Sequence, residues 1–118
     1  MALRVFGLTG GIGSGKSEVA KRLVERGLPV VNADHLARLA VAAGSSGLAQ
    51  ISAHFGGEVL SASGELDRPR LAERVFSDLH ARRALDAIVH PIVRQLAAEH
   101  FQAIAERGEP LACYEVPL

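Results

Sequence analysis

The 118-residue chain has one cysteine, Cys113, so it can form no internal disulfide and fits a reducing compartment. It has no charge surplus either. Thirteen Lys and Arg balance thirteen Asp and Glu, for a formal net charge of +0. Proteins that hold nucleic acid through a broad field carry a basic excess, so that class is not expected, and any anion site must be built locally. No apolar run approaches the roughly 20 residues needed to cross a bilayer, so no membrane association is expected. The opening MALRVFGLTGG lacks a charged region ahead of a long apolar stretch, so no secretory leader is expected. What is present is ordinary for a globular protein: 48% hydrophobic and 22% charged residues, at a length that suits one domain. These features describe a cytoplasmic α/β domain.

Residues 3–8 form a short apolar run with β-branched and aromatic content, followed directly by glycines, which predicts a buried strand of a parallel sheet. From 17 to 26, Val19, Ala20, Leu23 and Val24 recur at helical spacing, and Gly27 supplies a stop. Residues 28–31 read as a second strand, so the first 31 residues make a βαβ unit. Helices are expected over 34–43, 48–55, 69–76 and 78–89, with an irregular loop or small hairpin over 58–67. A further helix is expected from Pro91, a favoured first-turn residue, to 107. Residues 111–116 read as a third strand. Three strands are few where the mean sheet has about five to six, so the fold is expected to continue past residue 118.

Gly10-Gly11-Ile12-Gly13-Ser14-Gly15-Lys16-Ser17 matches the phosphate-loop pattern G-x-x-x-x-G-K-[ST] at every fixed position. A chain of this composition would match it by accident roughly 0.0015 times, so the match is taken as real. The chemistry explains the composition. Glycines let consecutive N–H groups turn inward onto phosphate oxygens, and the following helix N-terminus favours the same anion. Lys16, one of only two lysines, can reach the β and γ phosphates, and the Ser17 hydroxyl can ligate Mg²⁺. The overlapping Gly11-x-Gly13 is not a dinucleotide fingerprint, because Lys16 stands where that pattern needs glycine or alanine.

Asp34 follows the second strand, on the rim where open parallel sheets bind ligands. Its carboxylate can accept or orient the proton of an attacking hydroxyl, or it can cap the next helix. His90 at a helix entry is by itself more often structural than catalytic. Arg68, Arg70 and Arg94 could bind phosphate, although arginines on helices are usually solvated surface. Cys113 reads as a small core residue, and the remaining histidines have no metal-ligand spacing.

GLTGGIGSGKS followed by Asn32-Ala33-Asp34 resembles the dephospho-CoA kinase family. The resemblance extends through Phe55-Gly56-Gly57, Gly64-Glu65-Leu66-Asp67-Arg68 with Leu71, Val75-Phe76, His90-Pro91 with Arg94, and Val116-Pro117-Leu118. It implies an α/β fold: a three-layer P-loop NTPase core with a parallel sheet and a helical substrate-binding insertion, whose C-terminal part lies beyond this chain. Residues 1–118 would be one incomplete P-loop kinase domain, with a CoA-binding insertion over 48–107. The implied reaction is phosphorylation of the ribose 3′-hydroxyl of dephospho-CoA by ATP with Mg²⁺. Gly11, Ile12, Gly13, Ser14, Gly15, Lys16, Ser17 and Glu18 would hold ATP, Ser17 the Mg²⁺, and Asp34 and Lys16 would be catalytic. Arg68, His90 and Arg94 would serve the substrate. Asn32 stands where the family usually has Asp, and Glu18 where relatives often have Thr. The family continues into further sheet, an arginine-bearing lid and an adenine-contacting segment. The rival expectations are another small-metabolite P-loop kinase, of shikimate or gluconate type, and a nucleotide-binding fragment without turnover.

Overall fold

The computed structural model describes residues 2–11 and 13–117. The chain divides into two compact units: residues 1–36 with 95–118, and residues 37–94. The first is built on three parallel strands, β1 (Arg4–Gly10), β2 (Val30–Asn32) and β3 (Leu111–Pro117), in the order β1-β3-β2. Leu8 and Asn32 both stand opposite Glu115, so β3 fixes the register of its two neighbours. Helix α1 (Lys16–Glu25) crosses from β1 to β2 and packs against both. The expected βαβ unit is present. The residue after α1 is Arg26, whose N–H returns to the last turn, and Gly27 leaves it at φ 84°.

β1 is not the buried strand expected from its composition. It forms one edge of the described sheet, and Val5 and Phe6 are 46% and 37% exposed. An apolar run reports what could be buried, not which neighbour covers it. The same holds on α1, where Ala20 is buried but Val19 and Val24 are exposed. The core of this unit lies over β3 instead. Ala112 and Cys113 are fully buried, and Phe101 meets Tyr114 edge to face at 5.3 Å.

The two helices expected on either side of Pro91 are one, α5 (Leu79–Glu106), with Pro91 inside it. Proline removes one N–H from the ladder and crowds the preceding turn, at a cost of about 3 kcal/mol. Burial of Ala97 and Ile104 on its C-terminal half rewards continuing the helix.

The second unit contains the end of α2 (Ala33–Ala40), α3 (Ser46–Phe55), a 3₁₀ turn (Gly57–Val59) and α4 (Arg68–Phe76). Ser45 caps α3, accepting from the Leu48 N–H at 3.1 Å and donating to the Ala40 carbonyl at 3.1 Å. Gly47 packs so tightly that a Cβ there would press into the Ala40 carbonyl oxygen and meet Ile92 Cδ1 at 3.0 Å. Leu48, Ile51, Phe55, Val59 and Leu71 are buried. The segment expected as a loop or hairpin has an isolated antiparallel bridge, Leu60 to Leu66, around a turn at Gly64 with φ 85°. Asp67 then caps α4 by accepting from the Arg70 N–H at 3.2 Å. Arg74 lies over the Phe55 ring and donates to the Phe55 carbonyl and the Glu58 carboxylate.

Candidate active site

β1 runs straight into the phosphate loop, and the loop into α1. Gly13 and Gly15 take φ values of 82° and 84°, a left-handed backbone that a side chain would strain. A Cβ on Gly10 would press into the Ser14 hydroxyl, so the loop closes tightly against its own strand. Gly15 is the residue ahead of α1, and no side chain caps the helix there. Among the described residues the N–H groups of the first turn are therefore not covered by side-chain oxygens. They carry the positive end of the helix dipole. This is the arrangement an anion needs. Ile12 lies outside the described residues.

Lys16 is half-buried at the start of α1 and forms no ion pair among the described residues. The Ser17 hydroxyl is exposed beside it. Glu18 turns its carboxylate outward to Arg22 at 3.4 Å on the helix surface, so only its backbone N–H belongs to the loop. Gly11 and Ser14 are exposed, and the Ser14 N–H closes a turn on the Gly11 carbonyl at 3.2 Å.

α2 begins directly after β2. All three strands are parallel, so this start shares the carboxyl rim of the sheet with the phosphate loop. β3 lies between β1 and β2, so two strand spacings, about 10 Å, separate the loop's strand from Asp34's. Asp34 does not take the alternative role of helix cap. The residue that caps α2 is Asn32, whose Oδ1 accepts the His35 N–H at 3.1 Å. Asp34 sits inside the first turn, exposed, with no hydrogen bond from its carboxylate among the described residues. A cap can serve only where it precedes the first turn, and Asn32 already holds that place.

Sequence reasoning missed Glu115. It is 8% exposed on the central strand and accepts from Asn32 Nδ2 at 2.9 Å. The signal was available, because a carboxylate in LACYEVP, an otherwise apolar strand, is rarely buried without a partner. Two residues earlier, burial and then the nearby Glu115 charge push the Cys113 thiol above its ordinary pKa. It is a buried, inert core thiol.

The remaining expected residues belong to the other unit. Arg68 is the exposed first residue of α4. Its neighbours Gly64, Leu66 and Asp67 already have structural work in the turn, the bridge and the cap. His90 and Arg94 are exposed one turn apart on α5, and His90 Nε2 lies 3.7 Å from Asp86.

A family model described as dephospho-CoA kinase matches residues 4–118. A dephospho-CoA kinase from Anaeromyxobacter dehalogenans is 53% identical over 116 residues, covering 98% of this chain and 55% of the relative. One from Syntrophotalea carbinolica is 50% identical, covering 97% and 54%. A crystal structure from Thermus thermophilus superposes with a TM-score of 0.84 at 38% identity, covering 99% of this chain and 57% of that one. A dephospho-CoA kinase structure from Campylobacter jejuni gives 0.78 at 25% identity, with 96% and 56% covered. The fold is therefore the parallel sheet with helices of the P-loop kinases, and the chain spans about half the length of the relatives it matches.

Proposed function

The chain belongs to the dephospho-CoA kinase family, and from that membership we propose that the full-length protein phosphorylates the ribose 3′-hydroxyl of dephospho-CoA with ATP. One observation carries the reading beyond the family. A single rim of the sheet holds a helix N-terminus that no side chain caps, with Lys16 on it, and the Asp34 carboxylate, which has no competing partner among the described residues.

Phosphoryl transfer leaves a protein little covalent chemistry, so its residues position groups and stabilise charge. The N–H groups of Gly13, Gly15, Lys16, Ser17 and Glu18 cradle the triphosphate, with Ser14 and Gly11 holding the turn of the loop. The Lys16 ammonium neutralises charge on the β and γ phosphates. Asp34 accepts the proton of the 3′-hydroxyl as that oxygen bonds to the γ phosphorus, and the bond to the β–γ bridging oxygen breaks to release ADP. The Ser17 hydroxyl is an exposed oxygen donor of the kind a hard cation takes, and it would hold Mg²⁺. When bound, Mg²⁺ neutralises charge shared by the β and γ phosphates.

The helical segment 48–107 supplies the acceptor's platform in this reading. Arg68, together with His90 and Arg94 one turn apart, offers exposed donors to the acceptor. Among the described residues no helix is long and apolar enough to cross a membrane. With one free, buried cysteine, we place the protein in the cytoplasm. An acceptor panel of dephospho-CoA, adenosine, shikimate and gluconate with ATP and Mg²⁺ tests the reading. Dephospho-CoA should be phosphorylated preferentially. Preference for any other acceptor overturns the substrate assignment and leaves the phosphate loop intact.

A further inference from the structure

Glu115 is a buried carboxylate that the proposed chemistry does not use. Apolar packing at that place would serve stability at least as well, because a charge taken out of water gains back only what its partners supply. Among the described residues its partner is one atom, Asn32 Nδ2, at 2.9 Å, across the paired register of β2 and β3. The two residues are 83 positions apart in sequence. The other end of the same amide, Oδ1, accepts the His35 N–H and so caps α2. An amide has distinct ends, and an ionised carboxylate can only accept, so Glu115 selects which end faces β3. The oxygen is then left for the helix.

We propose that Glu115 is a positioning residue: it orients the Asn32 amide, which pins the first turn of α2 and with it Asp34. This rests on Asp34 being the base of the proposed transfer. An Asp at position 32 would face Glu115 as one carboxylate against another, so Asn32 and Glu115 form a matched pair in this chain.

Reversing the polarity of the bond tests the pair. Asn32→Asp keeps an oxygen to cap α2 but sets two acceptors against each other across β2 and β3. Adding Glu115→Gln supplies an amide that donates to the new carboxylate, so the double variant re-forms the bond with donor and acceptor exchanged. In the full-length protein, Asn32→Asp should lower kcat about tenfold, as expected for coupled contacting side chains, with the KM for ATP unchanged. The double variant should recover to within about threefold of wild type. Amide hydrogen exchange at His35 gives a readout independent of turnover: protection should fall in Asn32→Asp and return in the double variant. A double variant no better than Asn32→Asp in both readouts overturns the proposal. So does an Asn32→Asp variant that leaves His35 protection unchanged. If the wild-type protein does not phosphorylate dephospho-CoA, the functional reading fails, and His35 exchange alone still decides whether Glu115 sets the cap.

Discussion

Replacing Asp34 by Asn separates chemistry from structure more cleanly than any other change in this chain. Its shape is preserved and only the negative charge goes. The structural cost can be bounded, because Asn32, not Asp34, caps α2 and the Asp34 carboxylate has no hydrogen-bond partner among the described residues. What remains is the attraction between an exposed carboxylate and the positive end of an eight-residue helix, about 0.5 kcal/mol. For a full-length protein of roughly twice this chain's length that corresponds to a melting shift of about 1–2 °C. The chemical cost is far larger. A general base contributes about 10²- to 10⁴-fold, so kcat in the full-length protein should fall by that factor while ATP affinity holds. Steady-state kinetics with dephospho-CoA, calorimetric ATP titration and a thermal melt on the same sample give the three numbers. Turnover within about threefold of wild type would refute the assignment of Asp34 as base. A large loss of melting temperature with a matching loss of ATP binding would show that the charge serves the fold.

Lys16→Ala removes the ammonium but not the loop, so ATP should weaken more than AMP by calorimetry; equal losses would mean that the loop has collapsed. Gly47→Ala drives a methyl into the Ala40 carbonyl and should destabilise the protein by about 1–3 kcal/mol, read as a lower denaturant midpoint. Cys113 has its pKa raised by burial and then by the Glu115 charge, so its thiolate forms only at higher pH. Alkylation of the native protein should stay slow at pH 8, where the buried thiol is neither accessible nor ionised, whereas unfolded protein reacts readily at pH 8.

Much of the site was legible in the sequence because the phosphate loop is local. Its strand, glycines, lysine and helix start occupy consecutive positions, and each is demanded by the same anion. Asp34 was legible by position, since it follows a strand that ends on the ligand rim. Its freedom from capping was not. That depended on Asn32 and Glu115, which meet only after β2 and β3 pair, and alternation within two short strands does not say which residues face each other. The loop–helix boundaries of the second unit are set by Ser45, Gly56, Gly64 and Asp67, which act on their immediate neighbours. The break expected at Pro91 was a local rule overruled by packing. One lost backbone bond weighs less than the apolar contacts made further along α5, and composition does not reveal those contacts. β1 failed the other way, since its apolar composition says nothing of a strand at the edge of the described sheet.

The most direct measurement is the position of the phosphate in the product. Full-length protein incubated with ATP, Mg²⁺ and dephospho-CoA should yield one new phosphomonoester. Its ³¹P resonance should couple to the ribose H3′, with ADP formed in equal amount. A phosphate on any other oxygen, or ATP consumed without a phosphorylated acceptor, would contradict the account.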